Sequence, residues 1–293
     1  MFSRVASYFS LVKFSHTIFA MPFAFIGFFL GIKKAPTALL ETRSLIEVFV
    51  LVVACMVFAR SAAMAFNRYL DRAYDALNPR TAVREIPKGI IKPVQALWFT
   101  IAMAFLFILC TWFINPLCFA LSPIALLVIL GYSYTKRFTP LCHLILGIGL
   151  SLAPIGAYVA VTGQFAILPL LFSAAVICWV SGFDIIYALQ DVDFDQSQRL
   201  YSIPAWIGKH KALQVSRLLH SISVGFIIIA GFVGVFGWLY ALGTIFYGSL
   251  LVYQQRVVSP TNLSRVNLAF MTLNGIASVV FSLFVLSDLY IRF

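Results

Sequence analysis

Apolar residues fill this 293-residue chain in runs of about twenty, separated by short polar segments. The runs lie near Phe14 to Ile32, Leu45 to Leu70, Val94 to Phe113, Pro116 to Thr135, Leu141 to Val161, Ala166 to Leu189, Leu213 to Phe236, Gly237 to Gln254 and Val266 to Tyr290. A helix of about 20 residues crosses a hydrocarbon core of ~30 Å, so the pattern predicts nine membrane-spanning helices. Arg4 and Lys13 before the first run imitate a signal peptide. No A-x-A-like cleavage site precedes Lys33 and Lys34, and eight runs follow, so the first run reads as a retained helix. The fold class expected is all-α, a polytopic bundle in one domain over residues 1–293.

Composition agrees: 62% of the residues are hydrophobic and 11% charged, against roughly 45–50% and about 25% in soluble domains. A soluble reading is excluded. Twenty-one Lys and Arg against ten Asp and Glu give a net charge of +11. In a membrane protein that excess is first a topology signal, so nucleic acid is not a favoured partner. Arg4, Lys13, the cluster from Arg68 to Lys92, Lys136, Arg137, Arg199, Lys209, Lys211, Arg217, Arg256 and Arg265 fall on one side. Lys33, Lys34, Arg43 and Arg292 fall on the other. This asymmetry predicts a cytosolic N-terminus and an external C-terminus, as an odd number of spans requires. The five cysteines have no C-x-x-C spacing and read as small core residues.

The acids are concentrated. Seven of the ten fall within Asp71 to Glu85 and Asp184 to Asp195, each at the cytosolic end of a span and leading into a loop of roughly 20 residues. At about 100° per residue, Asn67, Asp71 and Asp75 fall at about 0°, 40° and 80° on one helix face. Asp184, Asp191 and Asp195 fall at about 0°, 340° and 20°, with Asp193 on the far side, if that helix continues. Like charges at i,i+4 destabilise a bare helix, so two such ladders call for a compensating cation. Oxygen-only ligands suit a hard divalent ion such as Mg²⁺, which bridges carboxylates to a phosphate oxygen.

Arg68, Arg72, Arg80, Arg84, Lys136, Arg137 and Lys13 stand near the same segments. Carboxylates with metal and basic forks form a diphosphate site, where cations balance the charge of a leaving group. No G-x-x-x-x-G-K-[ST] or G-x-G-x-x-G loop points to a nucleotide, so the tail on that diphosphate reads as a lipid. The 29 phenylalanines suit a cavity for an isoprenoid chain, although most of them are ordinary core or lipid-facing rings. The rival of another class is a secondary transporter, whose coupling acids belong near the bilayer midplane. Acids at helix ends on one side favour an enzyme.

Asn67-Arg68-Tyr69-Leu70-Asp71-Arg72-Ala73-Tyr74-Asp75 resembles the N-D-x-x-D-x-x-x-D motif of the UbiA superfamily of intramembrane prenyltransferases. Asn78 to Pro87 resembles its R-T-x-x-R-x-x-P stretch, Asp184 to Asp195 its second Asp motif, and Tyr132 to Lys136 its Y-x-x-x-K. Arg68 stands where many members carry the first Asp, which removes one carboxylate. The combination looks most like the 4-hydroxybenzoate polyprenyltransferase branch, part of which serves menaquinone synthesis by the futalosine route.

The resemblance implies nine helices around a central lipid-substrate cavity in a bacterial-type cytoplasmic membrane, with the active site facing the cytosol. It implies transfer of a polyprenyl group from its diphosphate to a hydroxylated aromatic carboxylate, of 4-hydroxybenzoate or 1,4-dihydroxy-6-naphthoate type, by Mg²⁺-assisted ionisation. The partners implied are the polyprenyl diphosphate, a small aromatic acid and the bilayer. Asn67, Asp71 and Asp75 are assigned to one Mg²⁺, Asp191 and Asp195 to another, and Lys13, Arg72, Lys136 and Arg137 to the diphosphate. Asp184, Asp191 and Tyr187 are the catalytic candidates, Asp184 for the acceptor hydroxyl or the ring proton. A haem or chlorophyll prenylating enzyme of the same superfamily is the alternative. His16, His143, His210 and His220 read as packing or interfacial residues, His16 being notable for lying one turn from Lys13.

Overall fold

The computed structural model describes residues 2–12, 20–35 and 44–291, and every regular element among them is helical. In chain order these are α1 (Phe2–Leu11), α2 (Met21–Lys34), α3 (Leu45–Leu77), α4 (Pro93–Ile114), α5 (Pro116–Thr135), α6 (Cys142–Thr162) and α7 (Ile167–Ala188). A 3₁₀ turn (Leu189–Asp191) leads to α8 (Val192–Ser197), α9 (Ile203–Ile207), α10 (Lys209–Val233) and α11 (Trp238–Val257). A π-helical stretch (Leu268–Leu273) opens α12 (Asn274–Ile291).

Seven of the described helical stretches are long and apolar enough to cross a membrane. Helices α2 and α11 stand where the first and eighth runs were expected, α2 being described over 14 residues. Lys13 and His16 lie outside the described residues. Two boundaries differ from the apolar runs, and one conditional continuation does not occur. Helix α3 extends to Leu77, because Arg68 to Ala76 continue the helix after the apolar residues stop. Helix α10 begins at Lys209 rather than Leu213, with a polar first turn. The sixth run does not continue as one helix to Asp195: the α-helix ends at Ala188 and tightens into the 3₁₀ turn.

Short polar signals set the corners. The Ser44 hydroxyl accepts the Glu47 N–H at the start of α3. Asn115 alone joins α4 to α5: its side-chain oxygen caps Cys118 N–H at 2.8 Å, and its amide donates to the carbonyls of Val159 and Ala160 on α6. The buried Asp288 carboxylate accepts the N–H groups of Gly237 and Tyr240, filling the N-terminus of α11. In the π-helical stretch the carbonyl of Ala269 falls to the side chains of Gln254 and Asn274. Asn274 also accepts the indole N–H of the fully buried Trp179.

Helix α7 packs between α6 and α10, while α3 packs along α4. The largest core joins Phe23, Phe172, Trp179, Tyr247 and Phe281 from α2, α7, α11 and α12. Without a hydrophobic force between helices in lipid, close approach depends on small residues. Gly27 of α2 is such a point: a Cβ there would stand 1.9 Å from the backbone oxygen of Pro154 on α6. Pro154 interrupts the backbone bonding of α6 from within that helix. Gly27→Ala is therefore expected to destabilise the protein by about 1–3 kcal/mol, read as a lower melting temperature in detergent. Gly131→Ala on α5, which meets nothing within 4 Å, is the control and should be neutral or gain up to about 1 kcal/mol from helix propensity.

Candidate active site

The ends of α3, α5 and α7, the start of α6 and the loops after α3 and α7 line one cavity of about 940 Å³. Its lining descends α3 from Asp75 to Val52, which is 23 residues or about 35 Å of helix. Asp71, Asp75, Asp184, Asp191, Asp195, Asn67, Tyr187 and Lys136 all face this space. The two acidic segments therefore meet across a single chamber, whose deeper walls are mainly apolar side chains such as Met56, Phe107, Leu121 and Ala157.

Each carboxylate is engaged. Asp71, 2% exposed, receives Lys136 Nζ at 2.6 Å and Arg137 Nη2 at 3.2 Å, and its Oδ2 also accepts the Asn67 amide at 3.2 Å. Asp75 Oδ1 pairs with Arg84 at 2.6 Å, while its Oδ2 is buried with no partner among the described residues. Asp191 accepts two hydrogen bonds from the Arg80 fork, from Nε at 3.0 Å and from Nη2, and a third from the Asn78 amide. The third Arg80 nitrogen donates to the Tyr187 hydroxyl at 2.8 Å, and its guanidinium lies 5.2 Å from the Tyr187 ring centre. Burial works against the Arg80 charge, but the bonds to Asp191 and Tyr187 outweigh it and hold its pKa above the ordinary value. Asp195 accepts from Ser202, and Asp184 lies 2.7 Å from the His143 ring.

The chain's own Lys and Arg pair with Asp71, Asp75 and Asp191. Among the described residues no three acidic, His or Cys side chains stand close enough to hold an ion as they are. The donor set still fits a hard cation: oxygens from Asn67, Asp71 and Asp75 on one helix, with the orphaned Asp75 Oδ2 as a buried acceptor.

Four expectations need correction. Arg72 does not reach the cavity: its guanidinium donates to the Tyr69 carbonyl and covers the Tyr69 ring, because its position on α3 turns outward. Asp184, Asp191 and Asp195 do not form a ladder on one helix, because the helix breaks at Ala188, yet the return of the chain brings all three to the same space. Arg137, assigned to the diphosphate, does not line the cavity either: it stands behind Asp71, tied also to the Leu70 carbonyl. His143, expected only to pack, contacts Asp184.

Several cavity residues were assigned no individual role, Arg68, Arg80 and Arg84 being read only as basic residues near the acidic segments. Arg80, Arg84, Asn78 and Ser202 hold the acids from loops, where helical spacing has nothing to say. Arg60 and Arg68 carried a signal, since an arginine inside an apolar span is costly and usually functional. Both line the cavity, and Arg60 Nε, Arg68 Nε and Arg68 Nη1 are buried with no hydrogen-bond partner among the described residues.

Residues 20–276 match the UbiA prenyltransferase family. The 4-hydroxybenzoate octaprenyltransferase of Tolumonas auensis is 30% identical over 229 residues, 76% of this chain and 78% of its own. That of Aeromonas salmonicida is 32% identical over 227 residues, 76% of each chain. The apo structure of a UbiA homologue from Aeropyrum pernix K1 superposes with a TM-score of 0.79 at 30% identity, covering 94% of this chain and 98% of that one. A UbiA homologue from Archaeoglobus fulgidus, at 20% identity and TM-score 0.68, shares the fold over 97% of this chain and 99% of that one. With its acids gathered at the ends of membrane helices around a greasy chamber, this integral membrane protein is a prenyltransferase and belongs to the UbiA family.

Proposed function

We propose that this chain, acting as one intramembrane domain, transfers a polyprenyl group from polyprenyl diphosphate to a hydroxylated aromatic carboxylate in quinone biosynthesis. The observation that carries the reading is the polarity of the cavity. Paired acids and bases crowd its mouth, Arg60 stands further in with its Nε unpartnered among the described residues, and an apolar lining continues along α3. Each zone fits one part of the reaction: diphosphate, anionic acceptor and isoprenoid tail. Relatives named 4-hydroxybenzoate octaprenyltransferase support the acceptor class. A homologue described as bound to GPP and Mg²⁺ supports the donor and the metal.

Asn67, Asp71 and Asp75 would hold one Mg²⁺ and Asp191 and Asp195 another. When bound, the metal supplies positive charge to diphosphate oxygens. Lys136, Arg80 and Arg84 line the same cavity and carry further charge to balance the diphosphate as the allylic C–O bond breaks and its electron pair leaves with that group. The aromatic ring then forms the C–C bond and loses a proton, for which Asp184 is the nearby carboxylate. The apolar walls keep water from the allylic cation. The excess of Lys and Arg on this end favours a cytosolic mouth in a bacterial-type inner membrane, with the N-terminus inside.

Membranes holding the protein are to be incubated with labelled polyprenyl diphosphate and Mg²⁺, and separately with 4-hydroxybenzoate or 1,4-dihydroxy-6-naphthoate. Label in either acid supports the reading and names the pathway; label in neither overturns it. Asp71→Ala and Asp191→Ala, purified folded, are expected to lose about 10²-fold or more in kcat with Mg²⁺ present, and full transfer by both would remove the metal assignment. Arg60 sits 11 residues before Asp71, about 16 Å deeper along α3. Arg60→Met should raise KM for the aromatic acid by about 10-fold or more, as expected when a charged hydrogen bond is lost, with KM for the prenyl diphosphate unchanged. An equal effect on both substrates would sink that role.

A further inference from the structure

His143, the second residue of α6, is 2% exposed and uses both ring nitrogens. Nδ1 lies 2.7 Å from Asp184 Oδ2, and Nε2 lies 3.3 Å from the backbone nitrogen of Ile203. A backbone N–H can only donate, so Nε2 accepts and carries no proton. The ring proton is therefore on Nδ1 and is donated to the Asp184 carboxylate, an assignment made by the hydrogen-bond network. A second proton on the ring would break the Ile203 bond. The Nδ1–H tautomer satisfies both contacts at once.

The ring is fixed from other directions too. The His143 carbonyl accepts the Ser181 hydroxyl from α7, the helix that carries Asp184. Cys142 contacts the Tyr201 carbonyl, two residues before Ile203. Ser202, beside Ile203, donates to Asp195 and caps α9. His143 thus joins α6, the end of α7 and the loop after α8 at one point. Asp184 is left with one oxygen clamped by His143, and its side chain, 22% exposed, lines the cavity.

We infer that His143 is the positioning residue for the deprotonation step, an inference that rests on the prenyl-transfer reading above. As the Nδ1–H tautomer it holds Asp184 Oδ2, so that Oδ1 takes the proton from the prenylated ring. In that step the C–C bond has formed, the ring C–H bond breaks, its electron pair restores the aromatic system, and the proton passes to Oδ1 and on to water at the mouth. A neutral donor orients the carboxylate with less loss of basicity than an imidazolium would impose. His143 acts through Asp184, which it holds.

Two near-isosteres separate its two bonds. His143→Asn keeps an N–H at the Nδ1 position and gives up the reach to Ile203, whereas His143→Gln reaches toward Ile203 and gives up the donor to Asp184. His143→Gln is expected to lower kcat by about 10²-fold, within the range for a misaligned general base, with KM for the prenyl diphosphate within about twofold. His143→Asn should restore kcat to within about fivefold of the parent. Equal kcat in the two variants, or a loss confined to KM for the diphosphate, overturns the proposal. Nitrogen-15 NMR of the histidine-labelled parent in detergent, with His143 assigned by its absence in a variant, reads the tautomer without substrate and without reliance on how the variants fold. Protonated Nδ1 with bare Nε2 is expected, and an Nε2 that carries the proton overturns it. If the parent labels no aromatic acid, the function reading has failed and this proposal falls with it. If the parent is active and the variants do not separate, only the role of His143 is lost.

Discussion

The grip of Arg80 on Asp191 is the contact on which the site depends. Arg80 belongs to the loop after α3 and Asp191 to the 3₁₀ turn after α7, segments more than one hundred residues apart in sequence. Asn78 stiffens the loop, accepting the Arg80 backbone N–H at 2.9 Å and donating its own amide to Asp191 at 3.1 Å. A bidentate fork fixes orientation as well as distance, which one Lys ammonium would not do. The same Arg80 reaches Tyr187. One guanidinium thereby sets the spacing of the two acidic segments and the position of a ring at the mouth.

The other pairs follow the same logic with different burial. The Asp71 side chain is 3% exposed, and Lys136 and Arg137 offset the cost of burying its charge. Taking one partner from a fully buried pair costs about 3–5 kcal/mol, because the remaining charge is left uncompensated. Arg80 and Asp191, with side chains 32% and 18% exposed, lie below that limit. The acids that line the cavity are thus paired mainly with the chain's own Lys and Arg. In the proposed reaction, the diphosphate and its metal bring both signs of charge, and the internal pairs can be exchanged for new ones of the same kind. The cost of opening each pair is offset by a contact of equal type, which keeps the chamber organised through the cycle.

Much of the scaffold was legible in the sequence because membrane helices announce themselves by apolar length, and the first ladder because α3 is one unbroken helix from Leu45 to Leu77. Asn67, Asp71 and Asp75 needed only the helical repeat. The second segment was legible by residue type but not by angle, since nothing in the run from Asp184 to Asp195 marks the tightening at Leu189. Arg72 was misread for the opposite reason: nearness in sequence to Asp71 says nothing about which way a side chain leaves the helix. Arg80, Arg84 and Ser202 lie in loops, whose geometry is set by tertiary contacts. His143 is four residues from Gly147, which a Cβ would drive into the Ile177 carbonyl and Ser181. It is this close approach of α6 to α7, invisible to periodicity, that brings the imidazole onto Asp184.

The break after α7 also explains how a distant loop comes to lie over the site. Had α7 run on straight, Asp195 would stand about 16 Å beyond Asp184 along its axis. Instead α8 ends after Ser197, Arg199 takes a left-handed φ of 54°, and Leu200 N–H bonds the Asp195 carbonyl at 2.8 Å. That six-to-one bond around a left-handed residue is a Schellman ending, for which glycine is the usual choice. A side chain at such a φ costs on the order of 1–2 kcal/mol. The strain falls where the chain must turn back, and the three residues after Leu200 are each secured. Tyr201 N–H bonds the Lys136 carbonyl, Ser202 holds Asp195, and Ile203 N–H reaches His143. The turn at Arg199 thus places the backbone donor that bonds the His143 ring, and that ring in turn holds Asp184.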